Sequence, residues 1–298
     1  MRRTLPVLLS LAAFAYLFSI VDVTALSAAV RGVPLQAWLA AALLCALSLS
    51  AGAVRWWLLF RAFGAPSLPR FAELARHYAT GFFYNTYLPG GLSGDVVRGI
   101  ATQRAFGPGS AGGFATVIVE RALGLSALLG LVAAATLLHP RLGLGQFQSR
   151  ALAVFGLGLV LVLGIASLGR IARYLPVARL RTWLSKVPVP QAYGPLLLAW
   201  LLSLICQIAP TFAGHILLCA IHPPPSVFDS LAIVPIAGAA AFLPFSVSGA
   251  GFREAVFVEL YAQVGVPPQA SLAAALCLWA LQAFLAGLCG VYVLFRRR

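Results

Sequence analysis

The chain has 298 residues, 61% of them hydrophobic and 9% charged, and its mean hydropathy is +0.94. Soluble domains run at roughly 45–50% apolar and about 25% charged, so this composition excludes a soluble globular domain, a disordered chain and a free nucleic-acid binder. Twenty-one basic against seven acidic residues leave a net charge of +14; because the basic residues fall between apolar runs, they read as topology signals.

Taken in chain order, the apolar runs have the length of membrane-crossing helices, about 20 residues each. Arg2 and Arg3 precede a run from Leu5 to Val21, long for a signal peptide and read as the first span. Further spans are expected at Leu35–Phe60, Gly112–Leu138, Arg150–Leu168, Tyr193–Ala220 and Pro268–Phe295. Two stretches remain, Leu68–Phe106 and Ser226–Gly265. Each has an apolar first arm, a Pro/Gly/Ser break and a charged second arm too short to cross hydrocarbon at ~1.5 Å per residue. Both read as re-entrant hairpins, tolerated at membrane depth only inside protein or along a wet cavity.

The two hairpins resemble each other. Residues 88–98 read LPGGLSGDVVR and residues 243–253 read LPFSVSGAGFR, with five of eleven positions identical. The offset of 155 residues also carries the helix at 35–60 onto a predicted span, and likewise that at 112–138. An internal duplication follows. The expected fold is an all-α polytopic membrane protein: six spanning helices plus two re-entrant broken-helix hairpins in inverted repeats. Residues 1–298 form one membrane domain. Repeat one is 34–138, a linking helix and cytoplasmic loop are 139–188, and repeat two is 189–295.

Charge placement supports the inversion. With the N-terminus inside, the cytoplasmic segments hold Arg2, Arg3, Arg61, Arg70, Arg76, Arg104, Arg170, Arg173, Arg179, Arg181, Lys186 and Arg296–Arg298. The external segments hold only Arg31, Arg141 and Arg150. On that topology the first hairpin opens from the cytoplasm and the second from outside, a transporter pattern. The basic segment Arg170–Lys186, with Tyr174, Leu175 and Trp183, reads as a topological signal or as an interfacial loop attracted to anionic lipid.

Pro89, Gly90, Gly91 and Gly94 break the first hairpin; Pro244, Gly249 and Gly251 break the second. Ser93 is placed to cap the short helix that follows, with Asp95 in its first turn, and Ser248 with Gly249 to do the same in the second copy. Such helix N-termini favour an anion if they face a cavity. Arg98 and Arg253 occupy matching positions, and an arginine in an apolar setting is either paired or functional. Asp95 and Glu254 are the available partners, and the guanidinium fork equally suits a phosphate. Glu120 and Arg121 sit within a spanning helix and point to partners on other elements. Asp95, Glu120 and Glu254 balance Arg98, Arg121 and Arg253, allowing a neutral buried network. Asn85, Tyr84 and Tyr87 precede the break as hydrogen-bonding or packing residues. No catalytic constellation stands out.

Cys45, Cys206, Cys219, Cys277 and Cys289 lie in apolar runs without a Cys-x-x-Cys and read as small hydrophobes. His77, His139, His215 and His222 have no metal-ligand spacing, so neither a metal nor a cofactor is expected. No Walker-type phosphate loop occurs, so direct ATP use is not expected.

The run Phe83-Tyr84-Asn85, Leu88-Pro89-Gly90-Gly91, Gly94-Asp95-Val96-Val97-Arg98, Arg104, then Glu120-Arg121 and Gly124-Leu125, resembles a known family. So does Leu243-Pro244, Ser248-Gly249-Ala250-Gly251-Phe252-Arg253-Glu254 and Gly265-Val266. The resemblance is to the flippase-like transmembrane region of the lysylphosphatidylglycerol synthase/flippase family, and it covers essentially the whole chain. Ser93 and Ser248 depart from the small residue, often Gly, found there. The synthase domain of larger members is absent from this sequence. The resemblance implies a multi-pass protein of the bacterial cytoplasmic (inner) membrane that translocates or binds an anionic lipid or lipid-linked intermediate. Its partners would be that lipid and enzymes of lipid biosynthesis, not nucleic acid. The alternatives are a membrane subunit of a lipid-modifying enzyme and a small-solute transporter.

Overall fold

The computed structural model describes residues 5–88, 91–138, 188–239 and 249–295, and three isolated helical positions at 156, 160 and 164. Among them are ten α-helices, one 3₁₀ turn and no strand. Helix α1 (Leu5–Ile20) meets α2 (Val23–Arg31) at a 91° bend. Asp22 makes the corner: its Oδ1 accepts the Thr24 backbone N–H at 2.8 Å, capping α2.

Four helices are long and apolar enough to cross a bilayer: α3 (Leu35–Ala62), α6 (Gly112–Leu138), α7 (Tyr193–Cys219) and α10 (Pro268–Phe295). The bent α1–α2 pair makes a fifth if it is one span. That differs from six expected spans in two places. The first run does not continue straight beyond Ile20, and the expected span Arg150–Leu168 falls outside the described residues apart from Gly156, Val160 and Gly164.

The first hairpin is α4 (Phe71–Tyr87) and α5 (Ser93–Thr102), extended by the 3₁₀ turn Gln103–Phe106. The second is α8 (Val227–Ala239) and α9 (Phe252–Ala262). Pro89, Gly90, Pro244 and Ser248 lie outside the described residues. Gly91 takes a left-handed φ of 60°, as the reversal requires. A Cβ at Gly94 would overlap the carbonyl oxygen of Gly81, so α4 and α5 meet backbone to backbone.

The packing follows a repeating pattern. Helices α3 and α7 make the most extensive contact in the structure. They run antiparallel: Ser48 meets Cys206, Arg55 meets Ser203, and Ala62 accepts the Gln191 backbone N–H. Pro210 has no N–H to give the Cys206 carbonyl four residues earlier, and Ser48 Oγ donates to that carbonyl at 3.1 Å. Each hairpin packs on the helix that follows it, and its first arm also packs on the last helix of the other half. Thus α4 lies on α10 and α8 lies on α6.

One apolar core joins the first half of α3 to the end of α7 and to α8, α9 and α10, with Ala41, Leu217, Ile233, Tyr261 and Ala274 fully buried. The other joins the second half of α3 to α4, α6 and the start of α7, around Trp56, Phe60 and Leu74. Outward, Leu35, Leu39, Leu43 and Leu47 form an exposed stripe at four-residue spacing along α3. An apolar exterior of this kind suits hydrocarbon.

Candidate functional site

Against the second core lies a chain of charges. Arg55 on α3 donates from Nη2 to Glu120 Oε1 at 2.5 Å, and from Nη1 to Ser203 Oγ on α7 at 3.1 Å. Arg98 on α5 donates from Nη1 to Glu120 Oε2 at 2.8 Å and from Nη2 to Asp95 Oδ1 at 2.6 Å. Arg121 on α6 donates from Nε to Asp95 Oδ2 at 2.7 Å. Five side chains on three helices form one continuous network. Arg55, Arg98, Asp95 and Glu120 are buried, whereas the Arg121 side chain is 34% exposed.

The local sequence explains how Arg98 is held. Its guanidinium lies 4.9 Å from the ring centres of both Trp56 and Tyr78, a two-sided cation–π contact. Gly52 leaves room for the Tyr78 hydroxyl, and a Cβ at Gly81 would sit 2.6 Å from Arg98 Cδ. These glycines in helix interiors each cost propensity but permit close packing around a buried cation.

Two expectations change here. Ser93 opens α5 as its first helical residue, with Leu92 in the cap position. It is Asn85, on the preceding helix, whose Oδ1 accepts the Gly94 N–H at 2.8 Å while its Nδ2 donates to Asp95 Oδ1 at 3.1 Å. In the second hairpin the cap position is Gly251, with a φ of 86°, and Glu254 Oε2 accepts its N–H at 2.7 Å. Ser248 lies outside the described residues, and Gly249 forms the turn, its carbonyl accepting the Arg253 N–H.

Arg98 and Arg253 therefore align in sequence but not in setting. Arg98 is in the second turn of α5, whereas Arg253 is in the first turn of α9. Arg253 donates to Glu254 Oε1 from Nη2 at 2.6 Å and from Nε at 3.0 Å, and reaches Gln282 Oε1 from Nη1 at 3.5 Å.

The neutral balance expected from six charges is also corrected. Arg55 is a fourth cation, so Arg55, Arg98, Arg121 and Arg253 face Asp95, Glu120 and Glu254. One positive charge is in excess among these residues. The Nε atoms of Arg55 and Arg98 are buried with no hydrogen-bond partner among the described residues.

Two cavities open onto this network, and a third adjoins them. The first, of about 250 Å³, is lined by Arg55, Asn85, Arg98, Glu120, Arg121 and Arg253 among others. The second, of about 520 Å³, shares Arg55, Glu120 and Arg121 and continues over apolar walls that include Leu49, Leu125, Leu128 and Leu285. The third, of about 210 Å³, is lined by Arg253, Val234, Pro235, Phe257 and Leu278. Gln282 borders all three. The 155-residue offset relates the first cavity to the third: Arg55, Phe82, Arg98 and Glu120 become Pro210, Ala237, Arg253 and Ala275. Two of those four positions lose a charge, leaving a charged chamber on one side and a mostly apolar one with a single arginine on the other.

The structure brings Asp95, Arg98, Glu120, Arg121 and Asn85 together through direct contacts, and Arg253, which lines the first cavity with four of them, carries Glu254 beside it. Sequence reasoning missed Arg55, Tyr78 and Gln282. For Arg55 a signal existed, an arginine deep in an apolar run. Tyr87 donates instead to the Ala283 carbonyl at 2.8 Å, tying α4 to α10, and Tyr84 packs against Phe83. Among the described residues no group of three or more His, Cys, Asp or Glu is placed to hold a metal.

An all-helical chain with several bilayer-length apolar helices and buried ion pairs between them is an integral membrane protein. The sequence model of the lysylphosphatidylglycerol synthase TM region matches residues 3–290, and the chain belongs to that family. No curated protein matches the chain.

Proposed function

We propose that this protein binds the anionic headgroup of a membrane lipid, or of a lipid-linked intermediate, in the Arg55–Arg98–Arg121 chamber and carries it across the bilayer. The observation that carries the reading is the excess positive charge on a cavity wall inside a membrane protein. Four guanidiniums share three carboxylates, excess charge in a membrane interior is costly, and an entering anion offsets it. Arg98, locked between two carboxylates and two rings, and Arg55, held by Glu120 and Ser203, keep the site in shape. Arg121 and Arg253 border the cavity and meet the ligand. The adjoining apolar cavity suits the chains attached to such a headgroup.

The inverted-repeat architecture belongs to this proposal. It is supported by the antiparallel packing of α3 against α7, which the 155-residue offset relates, and by the reciprocal α4–α10 and α8–α6 contacts. Two such halves can open to opposite leaflets in turn. On this reading the protein is a transporter, not an enzyme. It sits in a bacterial inner membrane with both termini cytoplasmic, and its partners are the lipid and the enzymes that make it.

The test is a leaflet-exchange assay in proteoliposomes with headgroup-labelled lipids and an impermeant quencher. An anionic lipid should cross faster than a zwitterionic one, and Arg121→Gln or Arg253→Gln should slow it. Rates equal to those of protein-free vesicles for every lipid would overturn the proposal.

A further inference from the structure

The charges of the chamber present mostly one sign to its interior. Arg55, Arg98, Arg121 and Arg253 line the cavities, and of the carboxylates only Glu120 does. Asp95 and Glu254 are buried and line none of the three. Every oxygen of these carboxylates already accepts a hydrogen bond. Asp95 Oδ1 accepts from Asn85 and Arg98, and Oδ2 from Arg121. Glu120 Oε1 accepts from Arg55 and Oε2 from Arg98. Glu254 Oε1 accepts from Arg253 and Oε2 from the Gly251 N–H.

No other carboxylate is in reserve. All seven acidic residues of the chain are among the described residues. The remaining four, Asp22, Glu73, Asp229 and Glu259, line none of these cavities. An ammonium group that enters therefore meets guanidiniums of its own sign, and no carboxylate that a guanidinium does not already hold. Like charges placed together in this way are costly. The excess on the protein is a single positive charge. One negative charge neutralises it, whereas two leave an uncompensated anion in an apolar surround. Between the arginines, the first cavity is lined by the neutral polar side chains of Tyr78, Asn85, Thr86 and Gln282. Hydroxyl and amide groups of this kind hydrogen-bond to hydroxyls as donors or acceptors.

We infer that the headgroup taken by this chamber is a monoanionic phosphodiester whose other substituent carries hydroxyl groups and no amine. The inference rests on the lipid-binding reading above and narrows it from anionic lipids in general to one headgroup chemistry. The phosphodiester meets Arg121 and Arg253, and the hydroxyls meet the neutral polar wall. Net charge alone does not admit a lipid: one whose single negative charge is the sum of a phosphate, a carboxylate and an ammonium is turned away. So is lysylphosphatidylglycerol, the lipid in the family's name, because its lysyl ester carries ammonium groups.

The test titrates lipids of identical short acyl chains against the purified full chain in non-ionic detergent. Phosphatidylglycerol should bind tighter than phosphatidylserine by about tenfold or more, although both carry one net negative charge. Lysylphosphatidylglycerol should bind more weakly still. Phosphatidylethanolamine should bind poorly, and its N-acetyl derivative, a monoanion with the amine capped, should approach phosphatidylglycerol. Phosphatidic acid is mainly a dianion at about pH 8 and mainly a monoanion at about pH 5.5. It should bind more weakly than phosphatidylglycerol at the higher pH and gain on it at the lower. Gln282→Glu puts a carboxylate on the wall shared by all three cavities and should narrow the gap between phosphatidylglycerol and phosphatidylserine. Equal binding of those two lipids by the wild type, tighter binding of lysylphosphatidylglycerol, or tighter binding of phosphatidic acid at the higher pH would overturn the headgroup class and leave lipid binding standing. A gap unchanged by Gln282→Glu would overturn the wall charges as its cause. Saturable binding of none of these lipids would instead remove the lipid-binding reading itself.

Discussion

Arg98 and Glu120 join the first hairpin to a membrane-spanning helix through one 2.8 Å contact between Nη1 and Oε2, and both side chains are almost fully buried. The other oxygen of Glu120 accepts from Arg55, and the other terminal nitrogen of Arg98 donates to Asp95. Each group is thus a branch point, so removing either exposes several others.

Glu120→Gln should be the most damaging single change in the network. It leaves Arg55 and Arg98 buried with one carboxylate fewer between them. Breaking a buried pair from one side typically costs about 3–5 kcal/mol. Unfolding in detergent should show a loss of that order, larger than for the same change at exposed Glu259.

Arg98→Lys and Arg253→Lys should separate stability from transport. A lysine keeps the charge but has no planar fork to span Glu120 and Asp95, nor a flat face for Trp56 and Tyr78. Arg98→Lys should lose on the order of 2–3 kcal/mol, as expected for charged hydrogen bonds lost in a buried site. Arg253→Lys, where the arginine pairs among the described residues with its neighbour Glu254 and with Gln282, should lose less stability while still slowing anionic lipid exchange. Loss of stability at both positions with unchanged exchange per folded molecule would assign both arginines to the fold alone.

Gly94→Ala tests the hairpin crossing. The added methyl group meets the Gly81 carbonyl oxygen, a backbone atom that cannot turn aside. Overpacking of this kind costs about 1–3 kcal/mol. Asn85→Ala is the milder companion, losing a cap made from the neighbouring helix at about 1 kcal/mol. Thermal unfolding of the two variants should rank them in that order.

Gln282→Glu tests the shared wall of the three cavities. A carboxylate there offsets the excess positive charge and offers Arg253 a stronger partner. Binding of an anionic lipid, measured as lipid retained through purification, should fall, with little change for a zwitterionic lipid. Gln282→Leu, which keeps the charge balance, should change that selectivity less.

The membrane class and the long apolar helices were legible in the sequence. Hydrocarbon imposes length and apolarity on any crossing helix, and Pro and Gly mark where a helix stops. The pairing of Asp95 with Arg98, three residues apart, was legible for the same local reason. Membership of the family was visible in the order and spacing of the hairpin motifs. What only the tertiary structure decided was which distant charges meet. Arg55 looked like an isolated arginine in an apolar helix until α3, α5 and α6 brought it to Glu120, and the excess positive charge of the chamber follows from that one addition. The capping role of Asn85 and the unequal settings of Arg98 and Arg253 were hidden for a related reason. An aligned sequence position fixes neither the turn of the helix on which a residue falls nor the side chain that reaches in from another element. Long-range electrostatic and packing partners are set by how helices cross, and a linear pattern does not encode that crossing.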